Sequence, residues 1–109
     1  MSSYLIQVSY SVEALASLIK NPQNRTEAVR KSVKKLGGKL TGFWLAFGDH
    51  DVVVVVEMPD NVSAAALAMA VAGSGTGKSV KTTPLLSIDE GVAALKMAGA
   101  SGYKPVAAR

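Results

Sequence analysis

Apolar and polar positions alternate at the start of the chain. Tyr4, Ile6, Val8 and Tyr10 form one set, and Leu5, Gln7 and Ser9 the other. A period of two predicts a strand over residues 4–10. Ser11 then offers a helix cap. In residues 12–20, Val12, Leu15, Ala16 and Ile19 fall on one face at helical spacing. Asn21-Pro22 breaks that pattern, because the residue before a proline avoids helical geometry. Asn24 and Glu27 have the spacing of a capping box. They predict a second helix to Leu36, with Ala28, Val29, Val33 and Leu36 inward and Arg30, Lys31, Lys34 and Lys35 outward. Gly37-Gly38 stops it.

Residues 39–47 read as a strand with apolar side chains in both alternating sets. Leu40, Trp44 and Ala46 form one set; Phe43, Leu45 and Phe47 form the other. A tight connection over residues 48–50 follows, and Asp51 opens a run of five valines, 52–56, whose β-branching favours a strand. Glu57-Met58-Pro59 ends it. Asp60 or Asn61 is placed to cap an alanine-rich helix over 62–72, and 73–77 is a flexible loop. Residues 79–86 form the last strand candidate, where Pro84 marks an edge or a bulge. Ser87 or Asp89 begins a final helix to residue 98. The tail, 99–109, is rich in Gly, Ala and Pro and is expected to be flexible.

The order of elements is strand, helix, strand, strand, helix, strand, helix. It predicts an α+β fold: a ferredoxin-like βαββαβ antiparallel sheet with helices on one face, plus a C-terminal helix. Residues 1–98 form the one expected domain. Such a sheet, alone, would show polar residues on its helix-free face. The strands at 39–47 and 52–56 do not alternate that way. Either the C-terminal helix or a second sheet must cover the free face. A homodimer packed through the helix-free sheet faces is the expected assembly, because closed twofold dimers are the commonest oligomers.

Composition narrows the chemistry. The 109 residues include no cysteine, which removes disulfides, thiol catalysis and thiolate metal sites. The net charge of +4 is a mild basic bias. The basic face from Arg25 to Lys39 lacks interleaved aromatics, so nucleic acid is not the expected partner. Mean hydropathy is +0.25. The longest apolar tracts, 52–56 and 64–72, are too short to cross a bilayer, so no membrane association is expected. No basic-then-apolar leader is expected before the first strand, and a cytoplasmic location is anticipated.

Residues 72–79, Ala-Gly-Ser-Gly-Thr-Gly-Lys-Ser, resemble a relaxed phosphate loop. A phosphate loop needs a strand entering and a helix leaving, with helix amides aimed at the phosphates. Here a helix enters and a β-branched stretch leaves, so a plain connecting loop is expected. His50 lies between Asp49 and Asp51, where a carboxylate neighbour could tune it for acid–base work. Asp at the ends of a hairpin connection is also ordinary turn chemistry. A single histidine and scattered carboxylates make a poor zinc set, and neither a metal nor another cofactor is expected. Trp44 could stack a ligand or belong to a core or an interface. Gln7 and Ser9 put polar groups on the strand face opposite Tyr4 and Ile6.

Several motifs recur in a recognisable order: Tyr4-Leu5-Ile6, Asn21-Pro22 followed by Arg25, Leu36-Gly37-Gly38, Phe47-Gly48-Asp49-His50-Asp51, and Thr82-Thr83-Pro84-Leu85-Leu86. Together they resemble the GYD domain family of small bacterial proteins, over about residues 4–98. The name-giving motif is Gly, a variable residue, then Tyr-Asp. Gly48 and Asp51 match it, and His50 stands where Tyr is usual. The resemblance implies a ferredoxin-like fold of the dimeric α/β-barrel type and brings no established activity with it. Proteins of that type include small monooxygenases, isomerases and ligand-sensing domains, an analogy of fold alone. The expected function is a small-molecule-binding homodimer, with cofactor-independent enzymatic activity left open. Its pocket would lie between sheet and helices or at the dimer interface, lined by Gln7, Ser9, Trp44, His50, Asp51 and Lys81. The alternative is a structural or regulatory dimer with no small-molecule site.

Overall fold

The computed structural model describes residues 1–107; the last two positions of the expected tail lie outside the described residues. The elements are β1 (Ser2–Tyr10), α1 (Val12–Lys20), α2 (Thr26–Lys35), β2 (Lys39–Leu45), β3 (Val52–Met58), α3 (Asn61–Gly73), β4 (Gly77–Leu85) and α4 (Ile88–Gly99). The fold is α+β, with one four-stranded sheet in the order β2-β3-β1-β4. Every neighbouring pair is antiparallel.

The two central strands place their alternate residues on opposite faces. Tyr4, Ile6 and Val8 of β1 and Val52, Val54, Val56 and Met58 of β3 are buried with Val33 of α2 and Ala64 and Leu67 of α3. This is the core, on the side that the helices cover. The other set, Leu5, Gln7, Val53, Val55 and Glu57, is half-buried on the helix-free side. The valine run therefore splits between the two faces. Tyr4 fixes the far end of the core: its hydroxyl donates to Asn61 Oδ1 at 2.6 Å, at the start of α3.

Several boundaries differ from the sequence expectation, each for a physical reason. The register of β2 against β3 shifts between Leu40 and Gly42. That bulge puts Leu40 on the same face as Phe43 and Leu45, not with Trp44. The strand ends at Leu45 rather than residue 47. Asp51 divides its backbone between two strands, accepting from Ala46 N at 2.8 Å and donating to Val8 O at 2.8 Å. The Asn24–Glu27 capping box does not form. Asn24 Oδ1 accepts from Thr26 N at 2.9 Å, a local turn, and Glu27 pairs with Arg30 instead. Reciprocal boxes form at Asp60–Ser63 and Ser87–Glu90, where the N3 side chain is placed to bond back. β4 begins at Gly77, two residues early, and lies at a sheet edge as Pro84 requires.

Two helices are less buried than their patterns suggest. α1 has no buried residue, and Val12, Leu15 and Ile19 are exposed. Its start is tied down by Ser11, whose N–H donates to Thr76 O at 2.9 Å and whose hydroxyl donates to Gly75 O at 2.7 Å. α4 also has no buried residue. It leaves the helix-free face of the sheet uncovered and holds Ile88, Val92 and Leu95 in solvent. The radius of gyration is 17.4 Å, where a compact chain of this length would have about 13 Å. The excess reflects the projecting α4.

Candidate functional site

On the helix-covered side the helices do not close fully on the sheet. A cavity of about 440 Å³ lies between them. Its floor is the buried strand row Ile6, Val8, Val52 and Val54, and its walls include Leu18 of α1, Val29 of α2 and Leu67 and Val71 of α3. Small residues at Ala14, Ala28 and Ala70 leave the space open. Polar groups gather around it: Tyr10, Ser17, Gln23, Arg25, Ser32, Ser74 and Thr76. A second cavity of about 540 Å³ adjoins it beneath the 21–25 connection and is lined by Leu15, Ile19, Pro22, Trp44 and Leu45 among others. The two share Tyr10, Leu18, Gln23, Arg25 and Phe43.

Tyr10 stands at this junction because it continues the Tyr4, Ile6 and Val8 row on the core face of β1, at the end of the strand where the register with β4 shifts. Its N–H donates to Asp51 Oδ2 at 2.7 Å. Burial pushes its phenol above the ordinary range; the nearby Arg25 cation works against that shift and the Asp51 carboxylate adds to it. Arg25 is exposed at the mouth. Apolar floor, polar rim and a volume of several hundred cubic ångströms are the ordinary build of a small-molecule pocket.

Of the six residues singled out from sequence, Trp44 lines the second cavity and the other five line neither. Lys81 pairs with Gln7, Gln7 with Val53, and Val53 with Trp44 across the sheet. Lys81, Gln7 and Trp44 therefore share one row on the helix-free face. Trp44 lies on an edge strand and is 56% exposed. Its ring folds back over Gly42, where a Cβ would come within 2.7 Å of Cζ3.

Ser9, His50 and Asp51 meet at the end of β1. The Ser9 hydroxyl donates to Asp49 O at 3.1 Å and lies 3.4 Å from His50 Nδ1. With its proton on a backbone carbonyl, Ser9 is not set up as a nucleophile for His50. Asp51 spends one carboxylate oxygen on Tyr10 N–H and does not orient the imidazole as in a catalytic triad. These contacts latch the β2–β3 connection onto β1. Among the described residues no cluster of three metal-ligating side chains occurs. Residues 73–77 join α3 to β4, so a helix enters and a strand leaves.

Tyr10 and Arg25 were not marked from sequence. Tyr10 read as one more apolar-face residue, and Arg25 as part of a basic helix face. The available signal was a tyrosine closing an otherwise aliphatic row, and an arginine just after a proline break.

A search of curated proteins found no significant match. Among solved structures, the crystal structure of MtbAldR superposes with a TM-score of 0.55 at 11% identity, covering 79% of this chain and 52% of that one. The present chain thus spans about half the length of MtbAldR, and at this identity the likeness concerns the fold alone. The Gly48–Asp51 connection and the motifs around it lie within a match of the GYD domain model to residues 4–95, and the chain belongs to the GYD domain family.

Proposed function

We propose that this protein is a small homodimeric module that binds a small organic molecule in the cavity between sheet and helices. The cavity of about 440 Å³ over Ile6, Val8, Val52 and Val54 carries this assignment. It is an open groove, apolar at its floor and polar at its rim. The β2-β3-β1-β4 order supports placing the chain with ferredoxin-like folds of the dimeric α/β-barrel type. We assign no reaction step, because Ser9, His50 and Asp51 are engaged in holding the loop. A cytoplasmic setting accords with a sequence free of cysteine, and a bacterial source is what membership of the GYD family suggests.

The homodimer rests on the helix-free face. Leu5, Val53 and Val55 are half-buried there without a covering layer, and Trp44 lies beside them. Phe47 is 101% exposed and α4 presents Ile88, Val92 and Leu95. A second copy packed sheet to sheet would cover the first group. In that dimer Gln7, Trp44 and Lys81 belong to the interface, with Ser9, His50 and Asp51 at its end, and any ligand they line would sit between subunits.

A thermal-shift screen of small metabolites tests this assignment. Hits should raise Tm for the wild-type protein and lose their effect in Ala14→Phe, which narrows the cavity wall. Hits that survive Ala14→Phe and vanish in Trp44→Ala would move the site to the interface. No hit from a broad screen, with a stable dimer by sedimentation, would favour the interaction dimer without a small-molecule site. The exposed Phe47 and α4 stripe are the observations behind that second possibility.

A further inference from the structure

The charges around the cavity restrict what it can hold. Among the described residues no Asp or Glu lines either cavity, and Arg25 is the one charged residue lining both. Among the described residues the only ion pair joins Arg30 and Glu27, so the Arg25 guanidinium has no carboxylate partner. It stands where the two cavities meet, beside Tyr10 and Gln23. The floor below is apolar, with Ile6, Val8 and Val54 and with Phe43 beside Val54.

We propose that the cavity selects small carboxylates with an apolar body, the carboxylate held at Arg25 and the branched or single-ring body seated over Ile6, Val8 and Val54. This rests on the assignment of the cavity as the binding site. Three physical points lead to it. A guanidinium presents paired N–H donors that match a carboxylate better than a neutral group. Tyr10 and Gln23 supply neutral hydrogen-bonding groups at the same mouth, which a carboxylate's remaining lone pairs can accept from. A cationic ligand head would meet Arg25 with no acid to offset it. The nearest carboxylate to Tyr10 is that of Asp51, which is engaged by the Tyr10 N–H and lines neither cavity. The Tyr10 phenol, like any tyrosine, is protonated at neutral pH, and burial moves its pKa further up, so the hydroxyl is available as a donor to an anion.

Three probes of one shape separate the alternatives: phenylacetate, phenylacetamide and phenethylamine. Binding to the full-length protein is followed by amide chemical-shift changes and by calorimetry. Phenylacetate should bind about tenfold or more tightly than its neutral and cationic counterparts, as expected for a hydrogen bond to a charged partner. Arg25→Gln should remove that preference, with the variant's melting curve confirming that it is folded. Arg25→Lys should keep part of it. Added salt should weaken phenylacetate alone, because the mouth is exposed.

If all three probes bind equally and Ala14→Phe blocks them, the cavity stands and the carboxylate selection is wrong. A preference for phenylacetate that persists in Arg25→Gln overturns the role of Arg25. If no probe shifts any cavity residue at millimolar concentration, both the selection and the cavity as a binding site fail.

Discussion

Trp44 is the only tryptophan in the chain, and it lies on the face assigned to the dimer. Its emission therefore reports on the interface without labelling. An indole side chain has roughly 200 Å² to bury. With 56% of the residue exposed, a covering sheet would remove on the order of 110 Å² from water, worth about 2.8 kcal/mol at ~25 cal/mol per Å². A twofold dimer contains the contact twice. Trp44→Ala should thus raise the dimer Kd at least about a hundredfold. Sedimentation equilibrium from low to high micromolar protein measures this directly. In the wild-type protein the emission should shift to the blue as concentration rises through Kd, in step with the mass. A monomer mass at the highest concentration, with solvent-like emission throughout, would refute both the dimer and the area reasoning behind it.

Three further outcomes follow from particular contacts. Gly38→Ala places a Cβ 2.7 Å from Glu57 O and 3.1 Å from Met58 Cε; it should cost about 1–3 kcal/mol, seen as a fall in Tm, and less than additively with Met58→Ala because that change frees part of the space. The Asp60 and Glu90 carboxylates sit below their ordinary pKa because each accepts hydrogen bonds at a helix start, from Ser63 and Ser87 respectively; their stabilisation is present above the unfolded carboxylate pKa and is lost as pH falls through the lowered folded value, so Asp60→Ala should flatten the acid limb of Tm against pH, and an unchanged limb would remove the cap from the account. Val53→Glu puts a charge on the helix-free face opposite Gln7 and Trp44; it should yield a folded monomer by sedimentation that still binds cavity ligands, whereas binding lost together with the dimer would place the site across the interface.

How far the residues alone disclosed this molecule depends on which interactions are local. The strand at 4–10 and the valine run were legible because period-two patterns and β-branching act within a few residues. So were the caps at Ser11 and Ser87, where one hydroxyl reaches an amide three residues on. The Asn24–Glu27 pair had the same spacing and failed, since Asn24 closed a two-residue turn before a box could form. The bulge between Leu40 and Gly42 was hidden: it is a register choice between two strands, and Thr41 carries no mark of it. A pocket between sheet and helices was one of the two expected places, but its lining was hidden for a deeper reason. It arises from how far α1 stands off the sheet, and the apolar pattern of Val12, Leu15 and Ile19 gave no sign that these side chains would stay exposed.

His50 between two aspartates at the β2–β3 connection suggests acid–base chemistry from sequence, and the structure gives these residues different work. Asp51 carries three bonds at once: its carbonyl to β2, its amide to Val8 of β1, and its carboxylate to the amide of Tyr10. The third holds the backbone of Tyr10 at the end of β1, where the register with β4 shifts and its side chain lines the mouth of the cavity. Ser9, immediately before, is occupied with the carbonyl of Asp49 and faces His50 on the helix-free side. One short connection thus touches both faces of the sheet, the cavity through Tyr10 and the interface through Ser9 and His50. Loss of the Asp51 carboxylate should loosen Tyr10 at the cavity mouth, whereas loss of the His50 ring leaves the Tyr10 bond in place. If Asp51→Ala weakens phenylacetate binding and His50→Ala does not, this loop positions the cavity mouth, and the aspartate within it is a positioning residue rather than a catalytic one.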